Sequence, residues 1–240
     1  MLDKHQRVSA LLRDYAAGQR SFPEAILNDC PLFRVQLPFI ELVQADLSAA
    51  DLNHADLKRS QLMGADLSFA NLTGAHLRDA DLSRANLSFA CLAFANLIGV
   101  LLLEANLAKA DLTGADLIAA NLTQARLERV TAPGAHLTAA YLKEAYLREA
   151  NFSQANLSQA SLCDADLRGA NLSQAILREA DLSGAYLREV NLRGADLRGT
   201  NLHRANVKDT YYDRTTRFSL GFQPAQHRMV MISRDERSWE

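Results

Sequence analysis

Residues 65–74 read Ala-Asp-Leu-Ser-Phe-Ala-Asn-Leu-Thr-Gly, which is one five-residue unit written twice. The same phase holds from about Phe22 to Val207, where almost every position ending in 2 or 7 is Leu and almost every position ending in 0 or 5 is Ala. An internal repeat of this length overrides the usual relation between chain length and domain number. We therefore predict one repeat domain at residues 22–209, a helical cap at 1–21, and a C-terminal cap and tail at 210–240.

A period of five excludes a long helix, because helices and coiled coils need apolar residues every 3.6 or 3.5 positions. In extended backbone, residues two apart face the same side, so the Leu (hereafter the central residue) and the Ala two before it point inward together. The residue between them is mostly Asp or Asn, which bond to nearby backbone in turns. Gly recurs two positions after the central residue, as at Gly64 and Gly74, where positive φ is easiest for Gly. The pattern predicts an all-β solenoid that turns every five residues.

The A(D/N)LXX motif resembles that of the pentapeptide-repeat family and covers residues 42–207 without a gap. The resemblance implies a right-handed, four-sided parallel β-helix with four units per coil. About nine coils at a spacing of about 4.8 Å would then form a rod roughly 43 Å long. Residues 11–22 also resemble the leader of cyanobacterial members, including one linked to heterocyst differentiation.

The segments at the two ends of the repeat are predicted to cap it. Residues 4–17 place apolar side chains on one helical face, and Gly18 is a plausible stop. This helix is expected to shield the open end of the solenoid and to cover Phe33 and Phe39, which the irregular first coil would leave outside. After Val207 the pattern stops, and the aromatics of residues 211–222 are expected to plug the last coil. The tail from His227 onward is either disordered or paired with the rod.

The one clear flaw in the repeat is Val130-Thr131-Ala132-Pro133, where Ala stands at a central position. An unfilled cavity there would cost about 2 to 5 kcal/mol. Val130 is expected to fill part of the space, and Pro133 falls at a turn, where Pro is tolerated, so a slight kink is predicted. A drifted repeat explains these residues more simply than a functional hinge does.

Composition and motifs argue against several classes of function. A net charge of -2 and a pI near 6.3 make nucleic acid or an anionic membrane improbable partners. The three cysteines are far apart and suggest neither a disulfide framework nor a metal site. No segment is apolar enough to span a bilayer or resembles a signal peptide, which favours a cytoplasmic location. The six His residues do not cluster, and no catalytic or cofactor-binding motif is present. We therefore expect no enzyme, no cofactor and no metal.

Outward positions become apolar in the middle of the chain, which is unusual for a solenoid whose other outward residues are Ser, Thr, Asn, Arg and Gln. A contiguous exposed apolar surface often marks an interface, although scattered exposed apolar residues are normal. Either a homodimer seam or a site for another protein is compatible with it. The predicted interface, hereafter the apolar belt, comprises Phe69, Phe89, Phe94, Ile98, Leu101, Leu103 and Ile118, with Cys91 among them.

A second candidate face consists of basic residues that would stack at intervals of 20: Arg148, Arg168, Arg188 and Lys208. This column could bind a phosphate or a carboxylate. Neighbouring acids largely neutralise it, so a solvated face of ion pairs, each of little energetic value, is the simpler interpretation.

These observations favour a noncatalytic scaffold or regulator that binds another protein through the rod surface. One alternative within the family is protection of a type II topoisomerase by mimicry of DNA, but that mechanism needs a strongly acidic face, and the C-terminal half is rich in arginine. Another alternative is an accessory protein of a metabolic or photosynthetic assembly.

Overall fold

The computed structural model describes residues 2–232, and these residues wind into a parallel β-helix. Its β-bridges join residues 20 apart in parallel register, from Ser21↔Glu41 to Asn191↔Tyr211. Each coil therefore contains four five-residue units and has four sides, as the family resemblance implied. The right-handed sense of winding stays an expectation of the family resemblance.

Each unit ends in a type II β-turn. In the unit centred on Leu67, the Leu67 carbonyl accepts the N–H of Ala70 at 3.1 Å, and of the two residues between them only Phe69 has positive φ, +59°. Positive φ recurs at every position ending in 4 or 9 from Glu24 to Asp209. The predicted role of Gly at this position is confirmed, although most of these positions carry larger side chains. The Asp66 carboxylate accepts the N–H of Ser68 at 2.9 Å and so braces the turn.

The four sides are numbered by the central residues of one coil: side 1 by Leu42, side 2 by Leu47, side 3 by Leu52 and side 4 by Leu57. These Leu side chains and the Ala side chains between them are at most 1% exposed, so the core is a square column of Leu and Ala. Central N–H groups donate to the following coil, as in the 2.7 Å bond from Leu67 to Asn86. Side chains at outward positions 20 apart therefore form columns along each side.

The N-terminal helix α1 spans Lys4–Ala16 and begins with a capping box formed by Asp3 and Gln6. It lies over the open end of the first coil, where Leu11 is 5% exposed and the Tyr15 hydroxyl donates to the Pro38 carbonyl at 2.8 Å. The expectation that it also covers Phe33 and Phe39 is wrong, because these rings are 59% and 54% exposed. They belong to outward turn positions on sides 3 and 4, whereas the helix contacts the end of the column.

The irregular unit at Ala132 does not interrupt the hydrogen-bond ladder. The N–H of Ala132 donates to Asn151 at 2.7 Å, and the N–H of Gly134 donates to Ser153 at 2.9 Å. One coil further along the same inward column, Phe152 replaces the usual Leu and is 1% exposed. The large ring of Phe152 thus lies next to the small side chain of Ala132. The sequence analysis expected only Val130 to fill the space beside Ala132, whereas Phe152 is a larger neighbour of that space.

Two short parallel strand pairs form at the C-terminal end of the rod. β1 (Asp196–Leu197) pairs with β3 (Arg217–Phe218), and β2 (Tyr211–Tyr212) pairs with β4 (Val230–Met231). A 3-10 helix, Pro224–His227, lies between β3 and β4. The N–H of Asp209, in the last repeat unit, donates to the Arg228 carbonyl at 3.0 Å, so part of the tail pairs with the rod. Residues 233–240 lie outside the described residues.

Aromatic rings cover the end of the last coil, as the sequence predicted. The Tyr212 and Phe218 rings meet edge to face at 5.6 Å, and Phe218 and Phe222 stack at 5.1 Å. Asp213 anchors the cap by accepting the N–H of Gly194 at 3.1 Å and that of Thr215 at 2.9 Å. Burial raises the pKa of the Asp213 carboxyl, but hydrogen bonds from Thr215, Gly194 and Thr216 outweigh this and hold it below its usual value.

We predict that Ser60→Ala stabilises the fold by roughly 1 kcal/mol. Ser60 stands at an inward Ala position, is 0% exposed, and its hydroxyl has no hydrogen-bond partner among the described residues. Removing an unsatisfied buried hydroxyl removes its desolvation penalty, which is typically about 1–3 kcal/mol. The measurement is the midpoint of urea unfolding.

Thr210→Ala is the matched control, because the buried Thr210 hydroxyl donates to the Leu187 carbonyl at 2.6 Å. This substitution should lower the urea midpoint. An unchanged or lower midpoint for Ser60→Ala would show that the Ser60 hydroxyl is satisfied in solution.

Candidate interaction surface

The structure divides the apolar belt among four parts of the rod. Phe69 and Phe89 occupy the corner between sides 2 and 3, and Phe94 occupies the corner between sides 3 and 4. Ile98 and Ile118 lie on side 4, whereas Leu101 and Leu103 lie on side 1, which is opposite side 3. The belt is therefore not one contiguous face, although its two aromatic corners border the same side.

At the corner between sides 2 and 3, two rings form a stacked ladder. The centroids of Phe69 and Phe89 are 4.9 Å apart and their planes differ by 6°. The Lys109 ammonium lies 4.9 Å from the centroid of Phe89, one coil further on, and makes a cation–π contact. Phe69 remains 63% exposed and Phe89 47% exposed. The coil spacing near 4.8 Å sets the ring separation, so the stack follows directly from placing Phe at positions 20 apart.

At the opposite corner of side 3, the ring of Phe94 lies along the next coil. A Cβ placed on Gly114 would come within 2.8 Å of Cε1 of Phe94, so only glycine lets the ring rest there. The Phe94 ring is nevertheless 68% exposed. His54, two coils before Phe94, covers Gly74 in the same manner. An aromatic ring over a glycine thus recurs along this corner.

Side 3, between these corners, carries almost no charge. Over the seven coils from Asp51 to Gln174, its outward residues include two acids and no Lys or Arg. Both acids brace turns: the Asp51 carboxylate accepts the N–H of Asn53 at 3.2 Å, and the Asp111 carboxylate accepts that of Thr113 at 2.9 Å. Depletion of charge is the compositional signal of interface cores. The sequence interpretation missed it, although grouping outward residues by intervals of 20 would have revealed it.

On side 1, Leu103 borders a different feature, a shallow depression. Its volume is ≈ 400 Å³, and it is lined by Val43, Met63, Gly64, Leu103, Arg84 and Glu104 among others. Within this lining, the Arg84 guanidinium donates to the Glu104 carboxylate at 3.1 and 3.3 Å. Side 1 therefore presents a separate, polar-rimmed hollow rather than a continuation of the aromatic corners.

The second candidate face lies on side 2, where Arg148, Arg168, Arg188 and Lys208 form one column. Arg168 pairs with the Asp166 carboxylate, and Arg188 lies 3.4 Å from Asp209. Burial opposes ionisation of Asp166, but the hydrogen bonds from Arg168 outweigh it and hold the pKa of the carboxyl below its usual value. Lys208 approaches Asp209 at 3.9 Å. Three of the four cations thus have acidic partners within the chain.

Within residues 2–232, no group of three or more His, Cys, Asp or Glu side chains is arranged to hold a metal ion. Over the same residues, no helix combines the length and apolar character needed to cross a bilayer.

The family model described as pentapeptide repeats matches eight copies, at residues 40–79, 60–93, 90–129, 134–169 and 165–204. A search of curated proteins finds no match.

Among solved structures, the chain is similar to HetL, a pentapeptide repeat protein involved in heterocyst differentiation regulation in the cyanobacterium Nostoc sp. strain PCC 7120. The identity is 39% over 84% of this chain and 95% of HetL, with a TM-score of 0.48. A pentapeptide repeat protein (Rfr23) from the cyanobacterium Cyanothece 51142 is 38% identical over 39% of this chain and 64% of that one, with a TM-score of 0.39. QnrB1, a plasmid-mediated fluoroquinolone resistance protein, is 19% identical over 81% of this chain and 91% of that one, with a TM-score of 0.42.

Proposed function

Starting from the fact that the chain belongs to the pentapeptide-repeat family, we propose that it is a noncatalytic protein that binds another protein through side 3 and its two aromatic corners. The observation that carries this proposal is the pairing of exposed rings with a nearly uncharged side. Phe69, Phe89 and Phe94 flank a strip whose polar groups are small and largely engaged in turns. Burial of exposed aromatic rings is favourable, and few charges on side 3 would need to be desolvated.

The other candidates have less support. Mimicry of DNA needs a continuous acidic strip, whereas side 2 carries the basic column from Arg148 to Lys208 and side 3 carries two acids in seven coils. An enzyme or a small-molecule receptor needs an enclosed site, whereas the depression on side 1 is shallow. A second copy of the chain could also occupy side 3. Light scattering that shows a monomer at high concentration would exclude this homodimer.

The test compares two double variants in affinity capture from a lysate of the source cells, followed by cross-linking to locate the contact. Phe89→Glu with Phe94→Glu should release the partner, because it places two charges in the proposed interface. The matched control is Tyr146→Glu with Tyr186→Glu, since these rings are 49% and 50% exposed on side 2.

The control should retain the partner, and cross-links should map to side 3. Equal retention by both double variants, with circular dichroism confirming that both fold, would exclude side 3 as the binding surface.

A further inference from the structure

We propose that the corner between sides 2 and 3 contains an open stacking slot, at the level of Ala49, that receives an arginine side chain from a protein partner. The slot deepens the proposed function by stating the chemistry of the partner, and its biological role rests on that function. Its existence is tested on the isolated chain. It is formed by the free face of the Phe69 ring, the methyl group of Ala49 and the carboxylate of Asp29.

The slot arises from the direction in which side chains at this turn position extend. Several long side chains at this position reach toward the residue one coil further on: Gln124 donates to Glu144 at 2.7 Å, and Arg129 donates to Glu149 at 2.7 Å. Lys109 instead contacts the ring of Phe89 on the preceding coil. The ring of Phe69 likewise extends toward Phe89, with which it stacks. A long side chain at position 49 would cover the other face of Phe69. Because position 49 is Ala, that face is left open.

Backbone hydrogen bonds establish that the corner residues are adjacent. The N–H of Ala49 donates to Ser68 at 2.8 Å, and the N–H of Asp29 donates to Ser48 at 2.9 Å. Ala49 therefore lies one coil, about 4.8 Å, from both Phe69 and Asp29. A planar group inserted above the Ala49 methyl would meet a ring on one side and a carboxylate on the other.

Charge complementarity favours a cation in this space. Between residues 46 and 94, the outward positions of sides 2 and 3 hold no Lys or Arg but three acids, Asp46, Asp51 and Asp66. Arg7 of α1 contacts the preceding coil, but its guanidinium is already bonded to the Ile26 and Asn28 carbonyls, at 3.0 and 3.2 Å. The slot therefore combines an aromatic face with a locally negative surface.

Arginine fits better than other cations because its guanidinium is planar, stacks on aromatic rings and can bond to a carboxylate at the same time. The chain itself uses this contact, since the Arg20 guanidinium lies 3.9 Å from the centroid of the Tyr15 ring. It also places a cation over the far end of this same ladder, where Lys109 covers Phe89. An arginine at Ala49 would complete the ladder with a cation on each end.

The experiment is a nuclear magnetic resonance titration of the full chain with N-acetyl-arginine amide, observing the Ala49 methyl and the Phe69 ring signals. Wild type should show saturable shifts at both positions. N-acetyl-citrulline amide, a neutral molecule of similar shape, should bind about two- to fivefold more weakly, which is the effect of an exposed cation–π contact of about 0.5–1 kcal/mol.

Two variants locate the binding. Ala49→Phe fills the slot with a ring from the chain itself and should abolish the shifts at Phe69. Phe69→Leu should weaken binding about two- to fivefold, with the Ala49 methyl signal as the measure of binding. Tyr141→Leu, on side 1, is the control and should bind as wild type does.

The proposal is overturned if wild type shows no saturable shift, or if Ala49→Phe leaves the Phe69 shifts unchanged. Neither result would alter the capture experiment with Phe89 and Phe94, so failure of the slot is distinguishable from failure of the proposed function. If the capture experiment retains a partner on wild type and loses it on Ala49→Phe, the slot is part of the proposed protein-binding surface.

Discussion

Replacing Phe152 by Ala is expected to lower the free energy of unfolding by about 3–5 kcal/mol. Phe152 is 1% exposed and shares an inward column with Ala132, so its deletion would leave two adjacent coils with Ala at the central position. The Leu side chains of the other three sides are held by their own hydrogen-bonded coils and cannot collapse into the space. Urea unfolding followed by circular dichroism provides the measurement.

A double-mutant cycle tests whether Phe152 and Ala132 compensate for each other. Ala132→Leu alone should overpack the column and cost about 1–3 kcal/mol. Combined with Phe152→Leu it restores the ordinary Leu pair, so the double variant should be more stable than the two single effects predict, by about 0.5–3 kcal/mol. Additive effects would mean that the two side chains do not share space.

Tyr141→Ala is the control for loss of an aromatic ring as such, because Tyr141 is 55% exposed. Its effect should stay within about 0.5 kcal/mol.

Replacing Leu11 by Ala is expected to release α1 from the N-terminal end at a local cost of about 2–5 kcal/mol. Leu11 is the one residue of α1 that is buried, and it packs against the first coil. Stability in a solenoid is approximately a sum over neighbouring repeats, so the loss should be confined to the cap and the coil beneath it. Hydrogen exchange should show lost protection in residues 21–41 and unchanged protection in residues 101–121.

Leu12→Ala provides the matched control, because Leu12 is its neighbour in α1 but is 38% exposed. Leu12→Ala should leave protection of the first coil intact. The uncovered coil in Leu11→Ala should also promote concentration-dependent association through its free backbone edge, detectable by light scattering. Equal behaviour of the two variants would show that α1 does not hold the end of the rod closed.

The regular parts of the molecule follow from the sequence because each unit makes the same local demands. An Asp such as Asp66, a central Leu and a turn residue with positive φ are sufficient to predict the turn, the inward column and the outward position of Phe69. The five-residue period excludes a helix on geometric grounds alone. The same reasoning placed α1 and its stop at Gly18, since the apolar residues of the first segment recur with a helical period.

Features that depend on contacts between coils were harder to predict from the sequence. The number of units per coil came from the family resemblance, because a period of five is compatible with other polygons. Once 20 residues per coil are established, Phe69 and Phe89 stack, whereas Leu101 and Leu103 move to the opposite side of the rod. The apolar belt therefore separated into parts that the linear sequence had joined.

What the sequence by itself determined was the repeat, its core and the class of turn, because these depend on residues within five positions of one another. Only the tertiary structure decided which outward residues become neighbours, because contacts between coils join residues about 20 positions apart. It placed Phe152 beside Ala132, left Phe33 and Phe39 exposed, and separated side 3 from the charged sides. The open face of Phe69 belongs to this second class, since it exists only because Ala49 lies one coil before it.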